Sequence, residues 1–280
     1  MSGSTFPLST TLVFASVLAV SLLLPTSALA EYDILERSFS LKAGVMQHDV
    51  DASIATTGPL GRPRGVDLQK LGLDDKQYVP WITAKWHFTE RWYVQGVYTS
   101  FDKSGSRQIG TTVEFGDLEF PIGARIDTDL AADIYIINAG YTIIDRDRGN
   151  IDIGLGLHLV DLDFGIAGKV QVGNVITPVG STSEDALAPL PNIMSSGRFA
   201  LTDNIMLEGD VGYFALEIDD YDGKFVSARI NLEWQPFDHV GFGVGYQILD
   251  LDLDIDKSSG RKQVWDLEFQ GPLVYAVWSF

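Results

Sequence analysis

Six charged residues sit where an apolar pattern leaves least room for charge. Lys85, Arg198, Glu208, Asp210, Arg229 and Glu233 occur in mid-segment, on the face opposite the apolar residues of their own alternation. Three cations and three carboxylates sharing one face form a charge network. Such a network fixes register and narrows an interior more than it stabilises, because a buried pair barely offsets its own desolvation. Of the four histidines, His87 and His158 lie on the same polar face, His239 lies beside Asp238, and His48 lies near Asp49 and Asp51. Acid–base catalysis needs a histidine or carboxylate positioned against a partner and a substrate, and neither a G-x-S-x-G motif nor any cysteine occurs. No residue is therefore assigned a catalytic or metal-ligating role, and no cofactor is expected. Carboxylates also gather in EIDDYDG (217–223), DLDLDID (250–256) and VDLDF (160–164). DDYDG has the look of a calcium-loop fragment but lacks the downstream spacing and the terminal glutamate.

The elements that position these residues are strands. Ile82, Ala84, Trp86 and Phe88 alternate with Thr83, Lys85 and His87. Ile205, Leu207, Val211 and Tyr213 face away from Glu208 and Asp210, and Val226, Ala228, Ile230, Leu232 and Trp234 face away from Arg229 and Glu233. Val240, Phe242, Val244, Tyr246 and Ile248 face away from Gly241, Gly243, Gly245 and Gln247. Period-two alternation is the signature of a strand with unlike faces. A soluble sheet would bury the apolar face; a membrane barrel turns it to lipid and keeps the polar face inside. Glycine and mid-strand charges of both signs on the polar face favour the barrel. So do aromatics near segment ends: Trp86, Phe88, Trp92, Tyr93, Tyr141, Trp234, Phe237, Trp278 and Phe280.

The chain has 280 residues, 45% of them hydrophobic, and a net charge of −18. That charge argues against nucleic acid as a partner, since a phosphate backbone calls for a basic surface. Residues 11–25 are apolar and uncharged, and Ala28 and Ala30 precede Glu31 in an A-x-A pattern. Residues 1–30 are thus expected to be a secretory signal peptide and residues 31–280 a single barrel domain. Connections alternate in length. Residues 89–91, 145–150, 202–204 and 236–239 are short, whereas 49–77, 103–128, 165–190 and 253–262 are long polar links, and 219–223 breaks the rhythm. Short turns at one rim and long loops at the other are the asymmetry of a membrane barrel. Residues 91–145 read as one long hairpin about Gly116–Asp117, projecting above the membrane. This predicts an all-β, closed antiparallel transmembrane barrel of about ten strands, with eight or twelve as alternatives. In the 49–77 link, Leu68, Leu71 and Leu73 suit a short amphipathic helix that lies on the rim or plugs it. The glycines at 241–245 would permit a cavity.

The final segment, GPLVYAVWSF, places Val274, Ala276, Trp278 and Phe280 on one face. It resembles the C-terminal signature of Gram-negative outer-membrane β-barrel proteins, whose last strand alternates apolar residues and ends in Phe. Segments such as VDLQKLGLDD, EFGDLEFPIGAR and LEIDDYDG resemble a family of small barrels with no assigned activity. The resemblance implies location in the cell outer membrane, contact with outer-membrane lipids and lipopolysaccharide, and recognition of Val274, Ala276, Trp278 and Phe280 by the barrel-assembly machinery. Divalent cations at the acidic outer rim would bridge it to lipopolysaccharide phosphates. The expected function is non-enzymatic: a structural or interaction role, or a narrow porin-like pore for small solutes. The alternatives are an outer-membrane enzyme, either omptin-like or lipid-modifying, and a passage for hydrophobic ligands.

Overall fold

The structure is a computed structural model and describes residues 33–57, 63–73, 76–172, 174–218, 221–256 and 260–280. The expected signal peptide and residues 219 and 220 of the acidic run lie outside the described residues. A helical turn, α1 (Asp33–Glu36), precedes β1 (Phe39–Thr57) and β2 (Pro63–Asp67). A 3-10 turn (Gln69–Leu71) leads into β3 (Lys76–His87), β4 (Trp92–Gln108), β5 (Val113–Phe115), β6 (Leu118–Phe120) and β7 (Arg125–Arg146). The remaining strands are β8 (Gly149–Val172), β9 (Val175–Thr202), β10 (Ile205–Ile218), β11 (Tyr221–Trp234), β12 (Val240–Asp256) and β13 (Lys262–Ser279).

Ten of these strands close into one antiparallel ring, β1-β3-β4-β7-β8-β9-β10-β11-β12-β13, with β13 pairing back onto β1. In lipid every backbone N–H and C=O must find a partner within the protein, and a closed ring provides one at both edges of every strand. Residues 91–145 form a single hairpin, whose ladder runs from Trp92↔Tyr141 to Gln108↔Arg125. The tight turn falls at Gly116, whose φ of 55° is left-handed and suits glycine.

The 165–190 segment is not a polar link: β8 and β9 stay paired up to Val172↔Val175. What the sequence presents there as loop polarity is a reversal of the strand's faces. Along β12, Val240, Phe242, Val244, Tyr246 and Ile248 face outward while Gly241, Gly243 and Gln247 face inward. From Leu249 onward the same parity continues, but Leu249, Leu251, Leu253 and Ile255 now face inward and Asp252 and Asp256 outward. β8 switches in the same way, with Leu155 and Leu157 outward below, and Asp161 and Asp163 outward above a core of Val160, Leu162 and Phe164. The cause is a change of solvent. The lower wall meets hydrocarbon and the upper wall meets water, so an unbroken strand must exchange the polarity of its faces where the bilayer ends.

Two outward aromatic girdles bound the apolar band. Trp86, Phe88, Trp92, Trp234, Phe237, Trp278 and Phe280 mark the short-turn rim, and Tyr78, Tyr135, Tyr213 and Tyr246 mark the switch in polarity. Eight residues separate Trp86 from Tyr78 along β3, which at about 3.3 Å per residue and a tilt near 40° spans roughly 20 Å, close to the height of a barrel's lipid band. Tyr93 does not belong to this girdle: it faces inward and is fully buried.

Candidate functional site in the barrel interior

In the lower half, all six predicted charges face into the ring and are wholly or partly buried. Arg229 on β11 donates to Asp210, its direct cross-strand neighbour on β10. Glu208 and Glu233 both take Lys42 of β1 as partner, Glu208 through a short hydrogen bond and Glu233 at 3.0 Å. The Lys85 ammonium lies 3.6 Å from Asp152, which is fully buried, and 3.9 Å from the Tyr93 ring centroid. Arg198 meets no carboxylate among the described residues; it donates to Asn150 Oδ1 at 3.4 Å and approaches His87 Nε2 at 3.4 Å. Arg229 is therefore the partner of Asp210 and not of Glu233, and Lys85 pairs with Asp152 and not with the three expected carboxylates.

Lys42 and Asp152 are the members that the sequence reading left out. Both lie on the polar face of an alternation, Lys42 between Leu41 and Ala43 and Asp152 between Ile151 and Ile153. The signal that found the other six was available for them as well. Polar neighbours complete the lattice: Thr142 and Ser196 donate to Asp152, Gln235 donates to Glu233, and the Tyr275 hydroxyl donates to Glu233 at 3.3 Å.

Inward glycines leave room for neighbours, and not for a cavity at 241–245. A Cβ on Gly243 would lie 2.1 Å from the Tyr275 ring, and one on Gly245 would lie 2.1 Å from Asn231 Oδ1. Gly140 receives Tyr93 in the same way, at 2.2 Å. Two interior cavities, of about 40 and 20 Å³, lie beside His158 and at the short-turn mouth.

The upper half is mostly apolar inside, with Gln263 donating to the buried Glu184 near its top. Trp265, Phe269, Leu251, Leu253, Leu162 and Phe164 form one buried cluster. The β5–β6 hairpin joins that cluster and does not project freely from the barrel. Phe115 and Phe120 are fully buried, with Phe115 edge-on to Phe164 at 5.3 Å. Glycine notches receive it: a Cβ on Gly168 would meet Phe120 at 2.2 Å and one on Gly180 would meet Leu118 at 2.8 Å. Glu114, Asp117 and Glu119 face outward, so the hairpin is amphipathic and its apolar side covers the core. The 68–73 segment also packs inward, with Leu68, Leu71 and Leu73 buried around the 3-10 turn. At the opposite rim, α1 inserts Ile34 against Ala200 and Met206.

The histidines are dispersed. His48 is buried, stacked on Phe101 and edge-on to Phe269; His158 is buried and tilted against Phe225; His87 lines the short-turn mouth, and His239 contacts the Ser279 carbonyl through Nδ1. Val274, Ala276 and Trp278 face outward on β13, in register with β1 and β12, and the Phe280 side chain that follows is also exposed.

No family model matches the chain, and no curated protein matches it in sequence. Among solved structures, it is similar to the outer membrane protease OmpT of Escherichia coli, with a TM-score of 0.57 at 9% identity, covering 86% of this chain and 97% of that one. OprG from Pseudomonas aeruginosa aligns at a TM-score of 0.40 and 13% identity, covering 86% of this chain and 95% of that one. At such identity the likeness to OmpT is one of fold. Taken with the closed ring and the apolar band between two aromatic girdles, it makes this chain an outer-membrane β-barrel of ten strands.

Proposed function

We propose that the protein is a non-enzymatic outer-membrane barrel with a filled interior, acting structurally or through its outer wall. The observation that carries this reading is the occupancy of the lumen along its length. Ion pairs cross the lower half, an apolar core fills the upper half, β5–β6 and residues 68–73 pack over that core, and α1 enters from the short-turn rim. The dispersal of the four histidines supports the absence of a catalytic centre. The partners follow from the surface. Outer-membrane lipids meet the apolar band. Lipopolysaccharide, with divalent cations offsetting its phosphates, meets the acidic wall above it. The outward residues Val274, Ala276, Trp278 and Phe280 present themselves to the barrel-assembly machinery. Planar-bilayer recording of the refolded full chain tests the reading. No steady single-channel conductance is expected in molar KCl; a stable ohmic step would establish the narrow-pore alternative instead.

A further inference from the structure

Among the described residues, the charges in the lower half of the interior do not sum to zero. Five cations line it at or below the ion-pair layer: Arg37, Lys42, Lys85, Arg198 and Arg229; four carboxylates face them: Asp152, Glu208, Asp210 and Glu233. The surplus is one positive charge, in a chain whose net charge is −18. It is localised. Lys42, Lys85 and Arg229 each have a carboxylate partner within 4.0 Å, whereas Arg37 and Arg198 have none among the described residues. Both arginines line the same cavity of about 20 Å³ at the short-turn mouth, together with Lys42, Lys85 and His87 and the carboxylates Glu208 and Glu233. Arg37 Nε is buried there without an acceptor, and the two contacts of Arg198 are long, at 3.4 Å each. Ile34, anchored against Ala200 and Met206, holds this end of the chain over the cavity.

We propose that this mouth cavity is a binding site for one small monovalent anion of halide size, held between Arg37 and Arg198. A guanidinium presents donors only, so two of them facing one space require an acceptor between them. Removing such donors from bulk water without a partner is costly. The volume admits one or two water-sized groups and excludes phosphate or a nucleotide. One negative charge offsets that surplus, and the two carboxylates that line the cavity among the described residues do not supply it, because Glu208 and Glu233 are engaged by Lys42. Met206 and Ile34 on the same wall lower the local polarity, which strengthens charge-assisted contacts.

The test uses the refolded full chain in detergent, with bromide and chloride as probes. Crystals grown in sodium bromide are expected to show an anomalous peak between Arg37 and Arg198. Chloride NMR line broadening should report the same site in solution. Arg198→Gln should lower chloride affinity about tenfold or more, as loss of one charge-assisted hydrogen bond does, whereas Arg198→Lys keeps the charge and most of the binding. Arg37→Gln removes the other cation without touching any ion pair among the described residues, and heat-modifiable migration on gels confirms that each variant is folded. Absence of bromide density at this position, or equal broadening by the wild type and both glutamine variants, would overturn the proposal.

Discussion

Arg229 and Asp210 are direct cross-strand neighbours on β11 and β10, and their side chains meet inside the ring, the guanidinium donating to Asp210 Oδ1. The Arg229 side chain is 8% exposed and that of Asp210 21%. Replacing Arg229 with Ala leaves Asp210 without its partner in a partly dry interior. Breaking a buried pair from one side costs about 3–5 kcal/mol, while replacing both partners with apolar residues costs far less. Arg229→Ala should therefore be strongly destabilising in urea titrations of the vesicle-embedded barrel, and Arg229→Met with Asp210→Leu should recover most of the loss. Glu233, held by Lys42, should be little affected. A loss below about 1 kcal/mol for the single variant would show the pair to be solvated.

The pairing of Gly243 with Tyr275 yields a second expectation. The ring occupies the space where a Cβ at 243 would stand. Gly243→Ala should therefore cost about 1–3 kcal/mol through overpacking, and Gly140→Ala should behave alike beneath Tyr93. Gly96 is the control: it faces lipid, and a Cβ there meets nothing within 4 Å, so Gly96→Ala should be neutral or slightly stabilising. Equal effects at positions 96 and 243 would refute the argument.

The acidic outer wall sets a pH dependence. Across β12, β13 and β1, Asp250 pairs with Glu268, Asp252 with Asp266, and Glu268 with Asp51. Partial burial, and then these neighbouring carboxylates, hold Asp250, Asp266 and Glu268 above the usual carboxylate range. A carboxyl whose folded pKa is raised binds protons more readily in the folded state, so its contribution to stability improves as pH falls through that raised value. Asp127 is the opposite case: hydrogen bonds from Lys169 and Ser106 hold it below the usual range. Its contribution is present above the unfolded pKa and is lost as pH falls. Glu268→Gln should raise the unfolding midpoint at neutral pH and flatten its rise on mild acidification, whereas Asp127→Asn should lower the neutral midpoint. A midpoint for Glu268→Gln below that of wild type at neutral pH would count against the repulsive ladder.

The sequence by itself determined the alternating strands of the lower half with their inward and outward faces and the place of the tight turn at Gly116, and it left the ring at about ten strands, with eight or twelve as alternatives. The faces follow from a backbone repeat of two, which is local, and the turn follows from its glycine; neither sets the number of strands. The switch of polarity along β8 and β12 is also written in the sequence, but as alternating Leu and Asp, which reads as loop composition until the wall is seen to continue. Only the tertiary structure decided who pairs with whom inside. Lys42 and Glu208 are 166 positions apart, and Asp152 reaches Lys85 across the lumen, because closure and stagger of the ring fix which inward side chains share a level. Neither is a property of any one strand. The inward fold of β5–β6 was decided in the same way. Its amphipathic pattern suits a free hairpin in water equally well, and only the notches at Gly168 and Gly180, on strands distant in sequence, give Phe120 and Leu118 a place to be buried.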